Sequence, residues 1–509
     1  MNPMQDRHVL ILGLGLSGLA MARWCAAQGA SVTVADTREA PPQLEALRSQ
    51  VPAARFVAGP MGATLVDDAS LRAVYRSPGL APAAIASVVD AARERGLPVG
   101  GELDLFAQAL AHLKEQRGYT PAVLAITGTN GKTTVTALTG QLVERAGLSV
   151  VVAGNIGPTL LETLQARLAD DSLPQAWVLE LSSFQLDGIE GFEPTAATVL
   201  NLTQDHLDWH GDMAAYGAAK ARIFGEHAAM VLNRDDAAVM AMRPPPVPAK
   251  TPRGTPRPVP RAVLTFGGDM PAEPGDFGIE VVNGMAWLVR AQEADETLRR
   301  RKDAEIELHI QRLMPADALR IRGRHNAINA LAALALATSA GCQLGPMLYG
   351  LREYRGEPHR VESIGLLHGV EYFDDSKGTN VGATVAALEG LGAERRLVVI
   401  LGGDGKGQDF SPLAAPVSRF ARAVVLIGRD APRVREALAG AGVPLLDAVG
   451  MADAVAQARD RAQQGDAVLL SPACASLDMF SNYGERAEVF RAAVRDLALA
   501  AGTDLEALS

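Results

Sequence analysis

Short apolar runs recur along the chain, and most of them stop at a glycine-rich or charged turn. Residues 8–12, 31–35, 122–127, 149–153, 176–180 and 196–202 read as strands, and 370–373, 397–401, 423–427 and 467–470 repeat the pattern. Segments with helical spacing lie between them. Residues 19–28 form one, stopped by Gly29, and Val135, Leu138, Leu142 and Val143 mark another, stopped by Gly147. Residues 213–227 read as a third, carrying Lys220. Strand, turn and helix in alternation predict an α/β protein whose first and last regions are Rossmann-like and whose middle is a parallel sheet. A weaker β-type stretch covers 263–266, 279–282 and 286–289.

Breaks in the pattern divide the chain. Gly118-Tyr119-Thr120-Pro121 reads as a linker, and the segment 351–356 as a second boundary. Three domains follow: 1–117, 118–354 and 355–509. Within the second, eight prolines fall between Pro244 and Pro260. Such a segment forms neither helix nor central strand, so the stretch 244–261 is expected to be an external insertion.

Composition narrows the class. A length of 509 residues suits about three domains. With 48% hydrophobic and 21% charged residues, large cores are possible and disorder is not expected. A net charge of −10 and only 5% aromatics argue against a nucleic-acid-coating protein, though not against a local basic pocket. Cys25, Cys342 and Cys474 are scattered, which suits a reducing cytosol and neither a disulfide frame nor a zinc site. The apolar run 9–21 has glycines spaced for a turn, not for a signal peptide, and the run 327–340 is too short to span a bilayer. A cytoplasmic protein without membrane insertion is expected.

The strongest chemical signal follows the strand at 122–127. Gly128-Thr129-Asn130-Gly131 turns into Lys132-Thr133-Thr134 and a helix. Glycines let backbone N–H groups approach an anion, and the helix N-terminus favours it electrostatically. Lys132 can reach outer phosphates, and Thr133 can bind Mg²⁺. The loop is a shortened phosphate cradle, because Ile126 holds the first glycine's usual place.

Other signals are weaker singly. Glu180 ends an apolar strand, where a nucleotide's Mg²⁺ needs a ligand or where any surface carboxylate can sit. Gly13-Leu14-Gly15-Leu16-Ser17-Gly18, followed by Asp36, has the spacing of a dinucleotide unit and at least reports a phosphate or ribose ligand. The 77–79 loop falls on the same crevice. Asn326 and Asn329 share a helix face, free to read a base edge or simply to pack. In the last region the strands end in 374–380, 402–406, 428–430 and 471–476, loops that hold Lys377, Lys406 and several hydroxyls. As a set these suggest an anionic ligand.

In this order the motifs resemble the Mur ligases: GLGLSG at 13–18, GTNGKTT at 128–134, GNIG at 154–157, ELSSFQL at 180–186, NLTQDHLD at 201–208, the lysine of AAKARI at 218–223, GRHNAINALAA at 323–333, PHR at 358–360, DDSKGTN at 374–380, GGDGKGQDF at 402–410 and SPACASLDMF at 471–480. The resemblance covers the chain outside the proline-rich stretch. It implies a UDP-sugar domain, a central ATPase and an amino-acid domain, acting as a cytoplasmic monomer. The implied reaction is ATP-dependent addition of D-glutamate to UDP-N-acetylmuramoyl-L-alanine through an acyl phosphate.

The resemblance also implies roles. Leu16, Ser17, Asp36, Thr37, Arg38, Gly79 and Asn155 would hold the UDP sugar, which replaces the nicotinamide reading of the first glycines. Gly128, Thr129, Asn130, Gly131, Lys132, Thr133, Thr134, Asn326, Asn329, Arg360 and Asp375 would bind ATP. Thr133, Glu180, His206 and Lys220 would hold two Mg²⁺ ions, Lys220 as a CO₂-derived carbamate. Thr379, Lys406, Ser476 and Tyr483 would hold glutamate, with Lys377 beside them as a catalytic lysine. Tyr483 stands where a relative has phenylalanine and would add a hydroxyl. Rival readings are another amino-acid-adding ligase of this family, an NAD-dependent oxidoreductase, and a nucleotide sensor. The second leaves Lys132 and Glu180 without a role, and the third leaves the lysines of the last region unexplained.

Overall fold

The computed structural model describes residues 4–245, 261–294, 307–503 and 505–506. Most of the proline-rich stretch, 246–260, lies outside them.

Three sheets follow one another along the chain, with a small antiparallel sheet inserted. In the first, the strands lie side by side as Arg55–Ala58, Ser31–Asp36, His8–Leu12, Leu71–Arg76 and Val99–Gly100, all parallel. The helix after the first strand begins earlier than predicted, at Leu16, with Gly15 as its cap. Gly18 is there because a Cβ would stand 2.0 Å from the Gly13 carbonyl oxygen. The turn therefore packs helix against strand with no room for a side chain.

The middle sheet is ordered Val263–Phe266, Ala229–Asn233, Ala196–Val199, Ala122–Thr127, Ala176–Glu180 and Val150–Gly154, again all parallel. The predicted 213–227 helix stops at Ala221 and tightens into a 3₁₀ turn, Arg222–Phe224. Gly225 forces the stop: its φ is +51°, and a Cβ would stand 2.4 Å from the Phe192 carbonyl oxygen. One face of the sheet is covered by helices Lys132–Arg145, Arg324–Ser339 and Leu344–Glu353. The other face joins the core of the first region, where Phe106 of helix Glu102–Arg117 meets Trp177 edge-on at 5.2 Å. Asp187 ties the same two regions through Arg76 at 2.8 Å.

Of the weak β-type stretches, Val263–Phe266 joins the large sheet. Phe277–Val282 and Met285–Glu293 instead pair antiparallel with Leu308–Pro315, a strand the pattern did not reveal. Its apolar residues are interrupted by His309, Gln311 and Arg312, and most of it is only half-buried.

The last sheet is ordered Glu362–Leu367, Val370–Asp374, Ala467–Leu470, Leu397–Gly402, Ala421–Ile427 and Leu445–Asp447. Its edge strand Glu362–Leu367 runs antiparallel, so this sheet is mixed and not wholly Rossmann-like. Among the described residues, no helix is long and apolar enough to cross a membrane.

Candidate active site

The glycine turn at 128–131 is held from outside. Thr129 N–H donates to the Asn201 carbonyl at 3.0 Å. The Asn201 amide brackets Asn130, accepting from its N–H at 2.8 Å and donating to its carbonyl at 3.1 Å. Tyr216 OH lies 3.1 Å from the Thr129 hydroxyl. Gly128 and Gly131 have φ of +156° and +83°, and a Cβ on Gly131 would reach 2.9 Å from Asn329 Oδ1. The loop is thus preformed, with its backbone spoken for on the inner side and its N-terminal helix turn facing a cleft.

Lys132 Nζ donates to the Gly128 and Thr129 carbonyls at 2.9 and 2.8 Å. Lys220, 1% exposed, donates to the Thr127 hydroxyl at 3.1 Å and to the same Gly128 carbonyl at 2.9 Å. Its hydrogen-bond partners include no carboxylate, and the Tyr216 ring lies 4.8 Å from Nζ. Burial, reinforced by the Lys132 charge, pushes the Lys220 amine well below its ordinary value. Burial also lowers Lys132, with the Glu180 carboxylate opposing.

Glu180 accepts from Asn155 Nδ2 at 2.9 Å through Oε1, while its Oε2 is buried without a hydrogen-bond partner. A buried, unpaired carboxylate oxygen beside a phosphate loop is a cation's place, so the donor set fits Mg²⁺. His206 sits at φ +53° with Asp205 Oδ2 at 3.5 Å and the Phe184 ring edge-on at 4.7 Å. Burial lowers its ring. Asp205 opposes this, while the charges of Lys406, Lys132 and Lys220 add to it.

The last region docks onto this loop. Arg360 Nη2 donates to the Thr133 hydroxyl at 2.5 Å, so in this arrangement a guanidinium already engages that oxygen. Asp375 is buried, accepts from Ser471 Oγ at 2.7 Å, and is pushed up to about 7 by burial. Asn130, Gly131, Thr134, Asn326, Asn329, Arg360, Asp375 and Lys377 all line one cleft of about 110 Å³. That is smaller than the ~300–1,000 Å³ of cofactor sites. Asn329 donates to Asn326 Oδ1 at 3.2 Å, and Asn326 to the Arg322 carbonyl at 2.8 Å.

The predicted glutamate residues stand on adjacent strand ends. Lys377 Nζ lies 5.1 Å from the Tyr483 ring, and Ser376 Oγ donates to the Tyr483 carbonyl at 2.8 Å. Thr379 follows on the same loop, its N–H donating to the Lys377 carbonyl at 2.9 Å. Lys406 is held at φ +48° with its N–H on Asp404 Oδ1 at 3.0 Å, and Ser476 is buried in the neighbouring loop. Arg486, buried under both loops, donates to Ser376 Oγ and the Cys474 carbonyl at 2.9 and 3.0 Å.

The first region contributes a separate crevice. Asp36 accepts from Leu14 N–H at 2.8 Å and from Arg38 Nε and Nη2, both at 2.8 Å. These bonds, Arg38 first, hold its carboxyl down at about 2. Ser77 Oγ donates to the Gly13 carbonyl at 2.9 Å, which places the 77–79 loop against the glycine turn. Leu16, 68% exposed, and Ser17 open the helix beside Asp36 and Thr37, with Gly79 across the turn.

Comparison with known proteins agrees with this layout. Residues 7–101 match the MurD-like N-terminal domain of Mur ligases, 126–248 the Mur ligase middle domain and 359–474 the Mur ligase glutamate ligase domain. The chain is 68% identical over 506 residues to the UDP-N-acetylmuramoylalanine–D-glutamate ligase of Albidiferax ferrireducens, covering 99% of each. The chain belongs to the Mur ligase family. A Polaromonas ligase of the same name is 59% identical, covering 99% of this chain and 100% of its own. Solved Mur ligases share the fold at low identity. A MurF of Acinetobacter baumannii has a TM-score of 0.56 at 18% identity, covering 96% of this chain and 91% of its own. The MurF ligase of Thermotoga maritima, solved in complex with ADP, has 0.55 at 16%, covering 97% and 96%.

Within this Mur ligase, sequence reasoning missed Asn201, Tyr216, Ser471 and Arg486, all of which hold the loops of the candidate site in place. Tyr216 sits among apolar helix residues, and Arg486 resembles any helix cation, so neither carried a signal. The described residues hold one cluster of three or more His, Cys, Asp or Glu side chains, His359, Glu362 and Asp374. Arg491 donates to both carboxylates, so a guanidinium neutralises that cluster.

Proposed function

We propose that this Mur ligase joins D-glutamate to UDP-N-acetylmuramoyl-L-alanine with conversion of ATP to ADP and phosphate, in the cytoplasm, as a step of peptidoglycan synthesis. The observation that carries the reading is identity of 59–68% over nearly the whole chain to ligases of that name. The geometry suits it. Lys132, Lys220, Arg360, Lys377 and Lys406 surround one place, an arrangement that makes sense for anionic substrates. On this reading residues 1–117 take the UDP sugar, 118–354 take ATP and 355–509 take glutamate.

A carboxylate does not acylate an amine at neutral pH, so it must first be activated. A carboxylate oxygen of the alanyl group attacks the γ-phosphorus, and the bond to ADP breaks. The amine of glutamate then attacks the acyl carbon, loses a proton, and phosphate leaves. The first step brings two anions together, so the chain's work is charge neutralisation and positioning. Lys132 leaves its own loop carbonyls for the phosphates. Arg360 and Asp375 hold the nucleotide from the far wall, with Asn326 and Asn329. Leu16, Ser17, Asp36, Thr37, Arg38 and Gly79 hold the UDP end, and Asn155 turns the alanyl end toward the phosphate loop. Thr379, Lys406, Ser476 and Tyr483 hold glutamate, with Lys377 alongside.

Mg²⁺, when bound, supplies positive charge to the phosphates and the attacking carboxylate. Thr133, Glu180, His206 and Lys220 would hold it at two positions, Glu180 through its unpaired Oε2. Lys220 fits a carbamate because burial favours its neutral amine, the form that takes up CO₂.

The deciding experiment is phosphate release from ATP with UDP-N-acetylmuramoyl-L-alanine and each glutamate enantiomer in turn. Release that requires the sugar nucleotide and D-glutamate is expected. Release with L-glutamate alone, or with neither, would overturn the assignment.

A further inference from the structure

Asn380 ends the 374–380 loop and caps helix Val381–Gly392, its Oδ1 accepting from Ala383 N–H at 2.9 Å. That bond fixes which way its amide faces. The NH₂ end is left to point across the domain boundary, where it donates to Asn130 Oδ1 at 3.0 Å. Asn130 Nδ2 donates back to Asn380 Oδ1 at 3.2 Å. The result is a reciprocal amide pair between the phosphate loop and the last region, with Asn380 only 5% exposed.

The approach is built for closeness. A Cβ on Gly382, the second residue of the helix, would stand 2.8 Å from Thr203 Oγ1 and 3.2 Å from Asn130 Nδ2. The same helix start also reaches the glutamate loops. Val381 N–H donates to Gln408 Oε1 at 3.0 Å, two residues beyond Lys406, and Thr379 precedes Asn380 directly.

We propose that Asn380 is a positioning residue that couples the glutamate loops to the phosphate loop, so that nucleotide and glutamate tighten each other's binding. This rests on the reaction proposed above. A pair of amides that pays no charge desolvation suits a contact that must form and part with each turnover. Because coupling is reciprocal, each ligand must gain by the same factor, which for such contacts is about 5–150-fold.

The test uses Asn380→Ser in the full chain. Serine caps a helix about as well as asparagine, so the helix stays and only the cross-domain bonds go. A non-hydrolysable ATP analogue is titrated with and without D-glutamate, and KM for each substrate is measured. Wild type should show mutual tightening. N380S should lose it and raise KM for D-glutamate at least about 5-fold, with Tm unchanged, and Gly382→Ala should reproduce this by wedging the boundary. Unchanged coupling in N380S, or losses that track Tm in both variants, would overturn the proposal. The titration needs no turnover. Coupling that N380S abolishes in a protein releasing no phosphate with D-glutamate would therefore overturn the reaction and leave the coupling standing.

Discussion

Lys132 and Lys220 donate to the same acceptor, the carbonyl oxygen of Gly128, each at 2.9 Å. Two ammonium groups on one oxygen repel, and both lie in a buried site where the repulsion is weakly screened. Burial already lowers both amines, and Lys132 lowers Lys220 further. Lys220, 1% exposed, is the one whose amine is pushed well below its ordinary value.

Lys220→Met is therefore expected to remove activity while keeping or raising Tm. The folded amine titrates well below the unfolded one, so the unfolded chain binds more protons, and stability rises with pH up to about 10.5. K220M should lose that slope, read by thermal melts across pH. Lys220→Ala should regain part of its activity with acetate in the vacated space. Lys220→Arg should stay inactive, because a guanidinium keeps its charge and takes up no CO₂. A fully active K220R rules the carbamate out.

Glu180→Gln keeps an oxygen for Asn155 and removes the negative charge behind the unpaired Oε2. The Mg²⁺ concentration for half-maximal activity should rise, and kcat should fall about 10²–10³-fold, as when one preorganised electrostatic partner is lost. Tm should change little, because the bond to Asn155 stays and a neutral NH₂ replaces the unpaired charged oxygen. Mg²⁺ titration of phosphate release and a thermal melt check both.

Asp375 titrates at about 7 in the folded chain against 3.8 in the unfolded one. The folded state holds the extra proton, so this group's contribution is complete below 3.8 and is lost as pH rises through 7. Asp375→Asn should remove that fall, so Tm measured at pH 5 and pH 8 should differ less in the variant than in wild type. If the ionised carboxylate is what accepts from the nucleotide, KM for ATP should drop as pH climbs past 7 in wild type only.

The strand, glycine turn and helix around Lys132 were legible because the residues that make them are consecutive in the chain. Glu180 and the loops at 374–380 and 471–476 were legible because strand ends are marked by abrupt polarity. What could not be read was pairing across distance. Asn380 looks like an ordinary cap, and only the docked boundary shows Asn130 against it. Leu308–Pro315 has too broken an apolar pattern to announce a strand, and its place is set by its antiparallel neighbour. Asp36, expected at the UDP sugar, accepts through both oxygens from Leu14 N–H and Arg38, a pairing between strand end and turn that the sequence does not display.

That last relationship separates two variants. Arg38 is gripped by Asp36 on one side and is half-exposed to the crevice on the other. Arg38→Ala should remove a cation from the proposed UDP site while Leu14 N–H keeps Asp36 and the glycine turn in place. KM for the UDP substrate should rise about 10-fold, the loss of one charge-assisted contact, and KM for ATP should not move. Asp36→Asn removes the charge that Arg38 and Leu14 N–H both use. It should raise the same KM and also lower Tm, because the turn carrying Gly13 and Gly15 loses its anchor. Asp36 contributes stability above 3.8 that is lost as pH falls toward about 2, so D36N should flatten acid unfolding in that window. Steady-state kinetics with each substrate varied in turn decide the matter: an R38A enzyme with raised KM for ATP and normal KM for the UDP substrate would show that this crevice does not hold the sugar nucleotide.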